Sequence, residues 1–266
     1  MRIHIVTNAS TLPYHDYCID NHRKLAKNPE KLEFFSYCLD AQSYFRLTSE
    51  GKNSVRIADS SGSVGHALGI QAFLGNLKPN EVNIITDSDC IVLMKEWDVA
   101  IENILTTAGI AGTTYEDIGG HSSGSGAVQT YKKIPNFTWA VLSPNYNWDF
   151  DAMCQKQSNM LIETPEMEAT FNIPIGSSLL REGNWKLPVH LRERNIPYYS
   201  FDFVRPTSPQ AKAVLSGEDY HTEYQLKDGR PFVAHQRGSM SKAFRSHHLS
   251  KSFYDVCEAY LNKENA

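Results

Sequence analysis

The 266-residue sequence lacks the features that mark exported, membrane-bound or disulfide-stabilised proteins. No apolar run comes near the ~18 residues that a membrane-spanning helix needs. The first ten residues alternate like a strand and have no signal-peptide core. The five cysteines are odd in number, lie far apart and form no CxxC motif, so we expect reduced thiols. Together these absences predict a cytoplasmic protein.

Neither sign of charge dominates the sequence. There are 26 basic and 30 acidic residues, which give a net charge of −4. This balance argues against a surface that clamps a nucleic-acid backbone along its whole length. Hydrophobic residues make up 41% and charged residues 21%, which excludes global disorder. With no internal repeat and no clear linker, we expect a single domain over residues 1–266.

Short apolar strands alternate with helical patterns in the first half of the chain. This alternation predicts an α/β fold, in which helices flank a mostly parallel central sheet. An elaborated C-terminal part follows and ends in an amphipathic helix docked on the body. The predicted strands are residues 3–7, 32–39, 55–58, 82–86, 110–114, 137–142 and 198–204, and the predicted helices are 14–26, 65–77, 96–105, 187–194 and 252–261.

A glycine- and serine-rich segment at residues 119–126, GGHSSGSG, separates a first half at residues 1–118 from a second at 127–266. Its composition predicts a mobile loop, which is either a plain surface loop or a lid facing an acceptor. It is not a phosphate-binding P-loop, because no GK[ST] sequence follows.

The most informative segment is VNIITDSDCIVL, where an apolar strand runs into Asp87, Ser88 and Asp89. Ligand sites on open α/β sheets form at the carboxyl ends of strands. Carboxylates at i and i+2 of an extended chain point to one side, and two such charges repel. A Mn²⁺ or Mg²⁺ ion with a substrate diphosphate would relieve that repulsion. The alternative is a solvated loop whose aspartates cap the next helix.

The TDSD segment resembles the DxD motif of the GT-A fold glycosyltransferases, which use nucleotide-sugar donors. Upstream, Gly62, Gly65 and Gly69 bracket the start of a helix at the spacing before DxD that such enzymes commonly have. The resemblance covers roughly residues 2–114 and a patch near the C-terminus. It implies a Rossmann-like GT-A domain, a Mn²⁺ or Mg²⁺ cofactor and a nucleotide-sugar donor, with a UDP-sugar favoured.

The same resemblance implies roles for individual residues. Asp89 looks like the direct metal ligand, and Asp87 looks like the residue shared between metal and ribose. The end of the first strand occupies the place of the nucleobase site. The residues expected to contact the donor are Thr7, Asn8, Ala9, Asp40, Asp59, Gly65, His66, Asp87 and Ser88.

A histidine near the C-terminus is followed by three cations. His235 comes at the end of a strand-like stretch and resembles the late histidine that completes the metal site in many GT-A enzymes. Arg237, Lys242 and Arg245 would neutralise the departing diphosphate. The segment resembles a loop that closes on the diphosphate, although a basic surface loop with an incidental histidine is an equal alternative.

The carboxylate that would deprotonate the acceptor hydroxyl is less well defined. The candidates are Asp149 and Asp151 in the segment NWDFD, and Glu163, Glu166 and Glu168 in the segment IETPEMEATFNIP. Glu168 leads, because in inverting members of the family the base often lies where a helix begins beside the acceptor site. Retaining members lack an obvious base, so the sequence leaves the stereochemistry open.

Two other functions compete with glycosyl transfer. A sugar-phosphate nucleotidyltransferase normally has a glycine-rich loop after its first strand, whereas TNASTLPYH here contains no glycine. A non-catalytic module that binds nucleotide or carbohydrate is the other alternative. The sequence leaves open the sugar, the nucleotide, the oligomeric state and the acceptor, which could be a glycan, a protein, a lipid or a modified nucleic-acid base.

Overall fold

A computed structural model describes residues 1–57, 62–114, 127–128, 133–152, 158–171, 173–181, 185–204, 221–236 and 247–264. The described residues form fourteen strands and seven α-helices. The strands are β1 (Arg2–Thr7), β2 (Glu33–Cys38), β3 (Ser54–Arg56), β4 (Asn83–Asp87), β5 (Cys90–Val92), β6 (Ile110–Gly112), β7 (Ala127–Val128), β8 (Trp139–Leu142), β9 (Ser158–Leu161), β10 (Ser178–Arg181), β11 (Tyr198–Ser200), β12 (Asp202–Val204), β13 (His221–Gln225) and β14 (Pro231–Gln236). The helices are α1 (Leu12–Leu25), α2 (Ala41–Ser49), α3 (Gly62–Leu74), α4 (Trp97–Leu105), α5 (Pro165–Phe171), α6 (Leu187–Glu193) and α7 (His247–Glu264).

A seven-stranded sheet in the order β11-β6-β8-β4-β1-β2-β3 forms the centre of the fold. All of its neighbouring pairs are parallel except those of β8, which runs antiparallel to both β4 and β6. Helices α1 and α4 pack on one face of this sheet, and α3 and α6 pack on the other. The predicted α/β class, with a mostly parallel sheet flanked by helices, is therefore confirmed.

Parallel pairing places the carboxyl ends of β1, β2 and β4 at the same end of the central sheet. Val6 lies opposite Asp87, and Thr7 lies opposite Cys38. The central strands are buried on both faces, as their unbroken apolar runs require. Because the next residues leave the sheet together, Thr7, Cys38 and Asp87 deliver their following loops to the same side of the molecule.

A second sheet connects to the central one directly after β4. Its order is β12-β13-β14-β5, and all of its pairs are antiparallel. Helix α7 packs on it through Phe253 and Cys257, which meet Ile91 and Ala234. The predicted docking of an amphipathic C-terminal helix is thus present, over a longer span than residues 252–261. A third sheet has the order β7-β10-β9.

The structure differs from the sequence-based expectations in some local elements. The predicted strand at 198–204 is two strands, because β11 pairs with β6 in the central sheet while β12 joins β13 in the second. Helix α2 and the strands β5, β7, β9, β10 and β13 were not predicted. The glycine-rich segment 119–126 lies outside the described residues. The division into halves at residues 1–118 and 127–266 stays a prediction.

Candidate functional site

The end of β4 and the end of β1 are joined by hydrogen bonds through Ser88. The Ser88 amide donates to the Val6 carbonyl oxygen at 3.2 Å, and the Ser88 hydroxyl oxygen lies 3.3 Å from Thr7 Oγ1, within hydrogen-bond distance. Both Ser88 and Thr7 are buried. Because Ser88 faces inward, its two neighbours Asp87 and Asp89 are held at the carboxyl end of β4 in a fixed backbone conformation.

Asp87 faces the first turns of α3. Its Oδ1 lies 3.1 Å from His66 Nε2, and both side chains are partly exposed. Helix α3 approaches β1 closely at Gly69, where an added Cβ would lie 3.0 Å from Val6 Cγ1. Because Gly69 has no side chain, α3 packs close enough to the sheet for His66 to contact Asp87. Gly65, the residue before His66, is buried.

Asp89 faces the second sheet and meets His235. The antiparallel register of β14 and β5 pairs His235 with Cys90, and the Gln236 amide donates to the Asp89 carbonyl oxygen at 3.2 Å. As a result, His235 Nε2 lies 3.5 Å from Asp89 Oδ1. Asp89 is only 2% exposed. The structure thus places a carboxylate and an imidazole together at the end of the central sheet.

Cys90 lies in the same group, and sequence reasoning missed it. Ligand atoms of Asp89, Cys90 and His235 all lie within 4.8 Å of one another. The buried thiol donates to the Thr138 carbonyl oxygen at 3.4 Å. Burial, followed by the charges of Asp89 and Asp87, raises the pKa of Cys90 well above its usual value. A protonated thiol is a poor ligand for a hard cation, so the carboxylates and the imidazole are the better donors.

The loop after β1 is fixed by side chains that accept from its backbone. Asn8 Oδ1 accepts from the amide of Ser10 at 2.8 Å. Asp40 Oδ2 accepts from the amide of Ala9 at 2.6 Å, while Asp40 Oδ1 accepts from the amide of Ser43 and so caps α2. The predicted donor residues Asn8 and Ala9 therefore lie in a loop that contacts Asp40, and Asp40 itself caps α2.

Three of the candidate catalytic carboxylates lie in two parts of the chain, with Asp149 and Asp151 two residues apart and Glu168 on α5. Asp149 lines a cavity of about 370 Å³ together with Asn83, which is the first residue of β4. Asp87 is the last residue of that strand, about 13 Å further along at the rise of an extended chain. Asp149 thus lies near the start of β4, at the opposite end of that strand from the Asp87–Asp89 segment, and its role as the base stays a prediction. The antiparallel direction of β8 is the physical reason, because this strand returns the chain to the start of β4.

The other two carboxylates have different surroundings. Asp151 Oδ2 accepts from Lys186 Nζ at 2.9 Å, so a lysine already partners it. Glu168 is exposed in the first turn of α5, and its amide donates to the Thr164 carbonyl oxygen at 3.0 Å. Of the remaining predicted site residues, Asp59, Arg237, Lys242 and Arg245 lie outside the described residues.

No helix formed by the described residues is both long enough and apolar enough to cross a membrane.

No protein-family model and no curated protein matches the sequence. Solved structures similar to the chain include the mannosyltransferase PcManGT from Pyrobaculum calidifontis in complex with GDP-Man and Mn²⁺, at 15% identity and a TM-score of 0.37 over 53% of this chain and 43% of that one. The glycosyltransferase GlyE of Streptococcus pneumoniae TIGR4 is 12% identical, with a TM-score of 0.37 over 76% of this chain and 45% of that one. A197 from STIV is 7% identical, with a TM-score of 0.32 over 90% of this chain and 95% of that one. The chain spans less than half the length of the two glycosyltransferases, and similarity at this level does not assign it to a family.

Proposed function

We propose that the protein is a metal-dependent glycosyltransferase, which moves a sugar from a nucleotide-diphosphate donor to an acceptor. A UDP-sugar is the favoured donor. The observation that carries the proposal is the approach of His235 Nε2 to within 3.5 Å of Asp89 Oδ1, next to Asp87 at the carboxyl end of a central parallel strand. Ligand sites of open α/β sheets form at such strand ends.

The donor set fits Mn²⁺ or Mg²⁺. Carboxylate oxygens suit both cations, and an imidazole nitrogen is a good further ligand for Mn²⁺. Asp89 and His235 would bind the ion directly, and Asp87 would join them from the end of β4. When bound, the cation supplies positive charge that stabilises the leaving diphosphate.

The chain's own residues would hold the rest of the donor. Thr7, Asn8 and Ala9 would seat the nucleoside at the end of β1. Gly65 and His66 at the start of α3 would lie beside the donor, on the other flank of Asp87. The predicted nucleoside contacts Asp40 and Asp59 stay predictions, as does neutralisation of the diphosphate by Arg237, Lys242 and Arg245.

Glu168 is the carboxylate that we propose as the acceptor base. Its side chain is exposed, and no described residue forms an ion pair with it, so it is open to a substrate hydroxyl. Asp151 differs, because its carboxylate already accepts a hydrogen bond from Lys186 at 2.9 Å. General-base removal typically lowers turnover by about 10²–10⁴-fold.

Thermal-shift titration with nucleoside diphosphates is the direct test. We expect UDP with Mn²⁺ to raise the melting temperature, and UDP with a chelator to leave it unchanged. Incubation with UDP-sugars and Mn²⁺ should then release UDP. Equal stabilisation with and without metal would contradict the metal site, and metal-dependent binding without turnover of any donor would favour a non-catalytic binding module.

A further inference from the structure

The C-terminal helix α7 covers the two strands that bring Asp89 and His235 together. Phe253 and Cys257 on this helix are buried against Ile91 of β5 and Ala234 of β14. Each of those two strand residues lies within two positions of Asp89 or His235. The first described side chains of α7 therefore sit directly over the edge of the candidate site.

Tyr254 extends this contact from the second sheet to α1. Its ring centroid lies 5.2 Å from that of Tyr14 and 4.4 Å from that of Tyr17. Helix α1 itself begins at the site, because the Ser88 hydroxyl donates to the Thr11 carbonyl oxygen at 3.4 Å. Tyr254 is thus held between α1 and the β5–β14 pair, at the end of the molecule where the DSD segment lies.

The hydroxyl group of Tyr254 is buried and has no hydrogen-bond partner among the described residues. Its neighbour Tyr17 differs, since that hydroxyl donates to the Glu258 carboxylate. Burial, followed by the charge of Asp89, raises the pKa of Tyr254 far above its usual value. A buried donor without a partner is unfavourable, and a bound ligand or a water molecule would satisfy it.

Two other polar atoms near His235 are also buried without a hydrogen-bond partner. Gln236 Oε1 and Thr222 Oγ1 are buried and have no hydrogen-bond partner within the part of the chain that the structure describes. Gln236 directly follows His235, and Thr222 pairs with His235 across β13 and β14. Several polar atoms around one histidine are therefore buried without the contacts that buried polar atoms normally make.

We propose that the Tyr254 hydroxyl donates a hydrogen bond to an oxygen of the nucleotide diphosphate held at Asp89 and His235, so that α7 forms part of the donor site. This inference rests on the proposed function. A diphosphate oxygen carries negative charge, and hydrogen bonds to charged acceptors are about twice as strong as neutral ones. The ligand would thus supply the partner that the buried hydroxyl lacks.

The test compares Tyr254→Phe with wild type and with Tyr17→Phe, which removes a hydroxyl from the same aromatic contact. Calorimetric titrations measure the affinity for Mn²⁺ alone, and then for UDP and GDP at saturating Mn²⁺. We expect Tyr254→Phe to weaken diphosphate binding about tenfold, as loss of one hydrogen bond to a charged group predicts. Its Mn²⁺ affinity should stay unchanged.

The melting temperature of the free protein gives a second readout. Tyr254→Phe should raise it by about 2–4 °C, because the variant no longer buries a hydroxyl without a partner. Tyr17→Phe should lower it, since that change removes the bond to Glu258, while diphosphate affinity falls less than in Tyr254→Phe. Equal losses of diphosphate affinity in the two variants would show that binding depends on the docking of α7 and not on the Tyr254 hydroxyl.

Other results would overturn the inference in distinguishable ways. Unchanged diphosphate binding by Tyr254→Phe, with metal-dependent binding by wild type, would reject the role of Tyr254 alone. A fall in affinity for Mn²⁺ alone would instead make Tyr254 a positioning residue for Asp89. Failure of wild type to bind either diphosphate with Mn²⁺ would reject the proposed function, and the inference with it.

Discussion

His235 Nε2 and Asp89 Oδ1 approach to 3.5 Å because β14 pairs with β5 immediately after the central strand β4 ends. The pair therefore bridges the central sheet and the second sheet. A cation bound there would be held by residues from both sheets, whereas an ion bound at Asp87 alone would contact only one.

Asp89→Asn should abolish metal-dependent binding of UDP. The amide is close in shape to the carboxylate but is a poorer ligand for a hard cation. Loss of residues that merely support a ligand reduces metal affinity about 10–100-fold, so loss of a direct ligand should reduce it by at least about 100-fold. Thermal shift with UDP and Mn²⁺ measures the effect.

Asp149→Asn is the matched control for that variant. Asp149 lies near the start of β4, away from Asp87 and Asp89, so we expect wild-type stabilisation by UDP and Mn²⁺. Loss of turnover in this variant with unchanged UDP binding would favour Asp149 as the acceptor base. An Asp89→Asn variant that still bound UDP only with metal would place the metal elsewhere.

Glu168→Gln should reduce turnover by about 10²–10⁴-fold and leave donor affinity within about twofold of wild type, since a base contributes to proton transfer and not to binding of the diphosphate. The measurement is steady-state release of UDP from the donor in the presence of acceptor. Glu166→Gln, in the same turn of α5, is the control and should retain its activity. An unchanged rate in Glu168→Gln would favour Asp149, Asp151 or a retaining mechanism.

Two buried histidines should make the fold sensitive to acid. Burial lowers the pKa of both His4 and His22 from 6.5 to about 4. The unfolded chain therefore binds protons at a higher pH than the folded chain does, and stability is lost as the pH falls from 6.5 toward 4. Each histidine should remove about 2 kcal/mol of unfolding free energy between about pH 7 and pH 5.

Urea unfolding at these two pH values measures that loss, and NMR titration assigns it. The imidazole signals of His4 and His22 should stay in the neutral form above about pH 5. His22 donates from Nδ1 to the Cys18 carbonyl oxygen at 2.7 Å and accepts from the Trp139 indole at 3.2 Å, a pattern that only the neutral ring satisfies. An unfolding free energy that does not change between the two pH values would contradict the prediction.

Gly112→Ala should destabilise the central sheet. A Cβ at this position would lie 2.7 Å from the Trp139 carbonyl oxygen and 2.9 Å from the Cβ of Ala140, so β6 and β8 would have to move apart. Overpacking of this kind costs about 1–3 kcal/mol. Gly75→Ala, where the nearest atom would be 3.6 Å away, is the control in chemical denaturation and should be nearly neutral.

The sequence predicts the central strands and their helices well, because these segments are long and periodic. The apolar run of β4 marks the sheet centre, and the aspartates after it mark the strand end. Strand β5 was missed because three residues carry no periodicity. Without that strand, nothing in the sequence indicates that Cys90 lies beside His235. The proximity of His235 to Asp89 depends on strand pairing between distant segments, which local patterns do not specify.

Asp149 shows a different limit of sequence reasoning. Residues 137–142 were correctly predicted to contain a strand, but a strand pattern does not reveal the strand's direction. Because β8 runs antiparallel to β4, the residues after it emerge at the start of β4, the opposite end of that strand from Asp87. The roles of Glu168, Asp87 and the donor-binding residues depend on a bound ligand, so they stay predictions.

The pairing of β14 with β5 also has a consequence for biosynthesis. Asp89 emerges from the ribosome long before His235, and closing so large a loop is entropically slow and late in folding. A nascent or truncated chain that ends before β14 would hold the DSD segment without its imidazole partner. We therefore expect the metal to be captured only after the second sheet has formed, which would protect unfinished chains from premature metal loading.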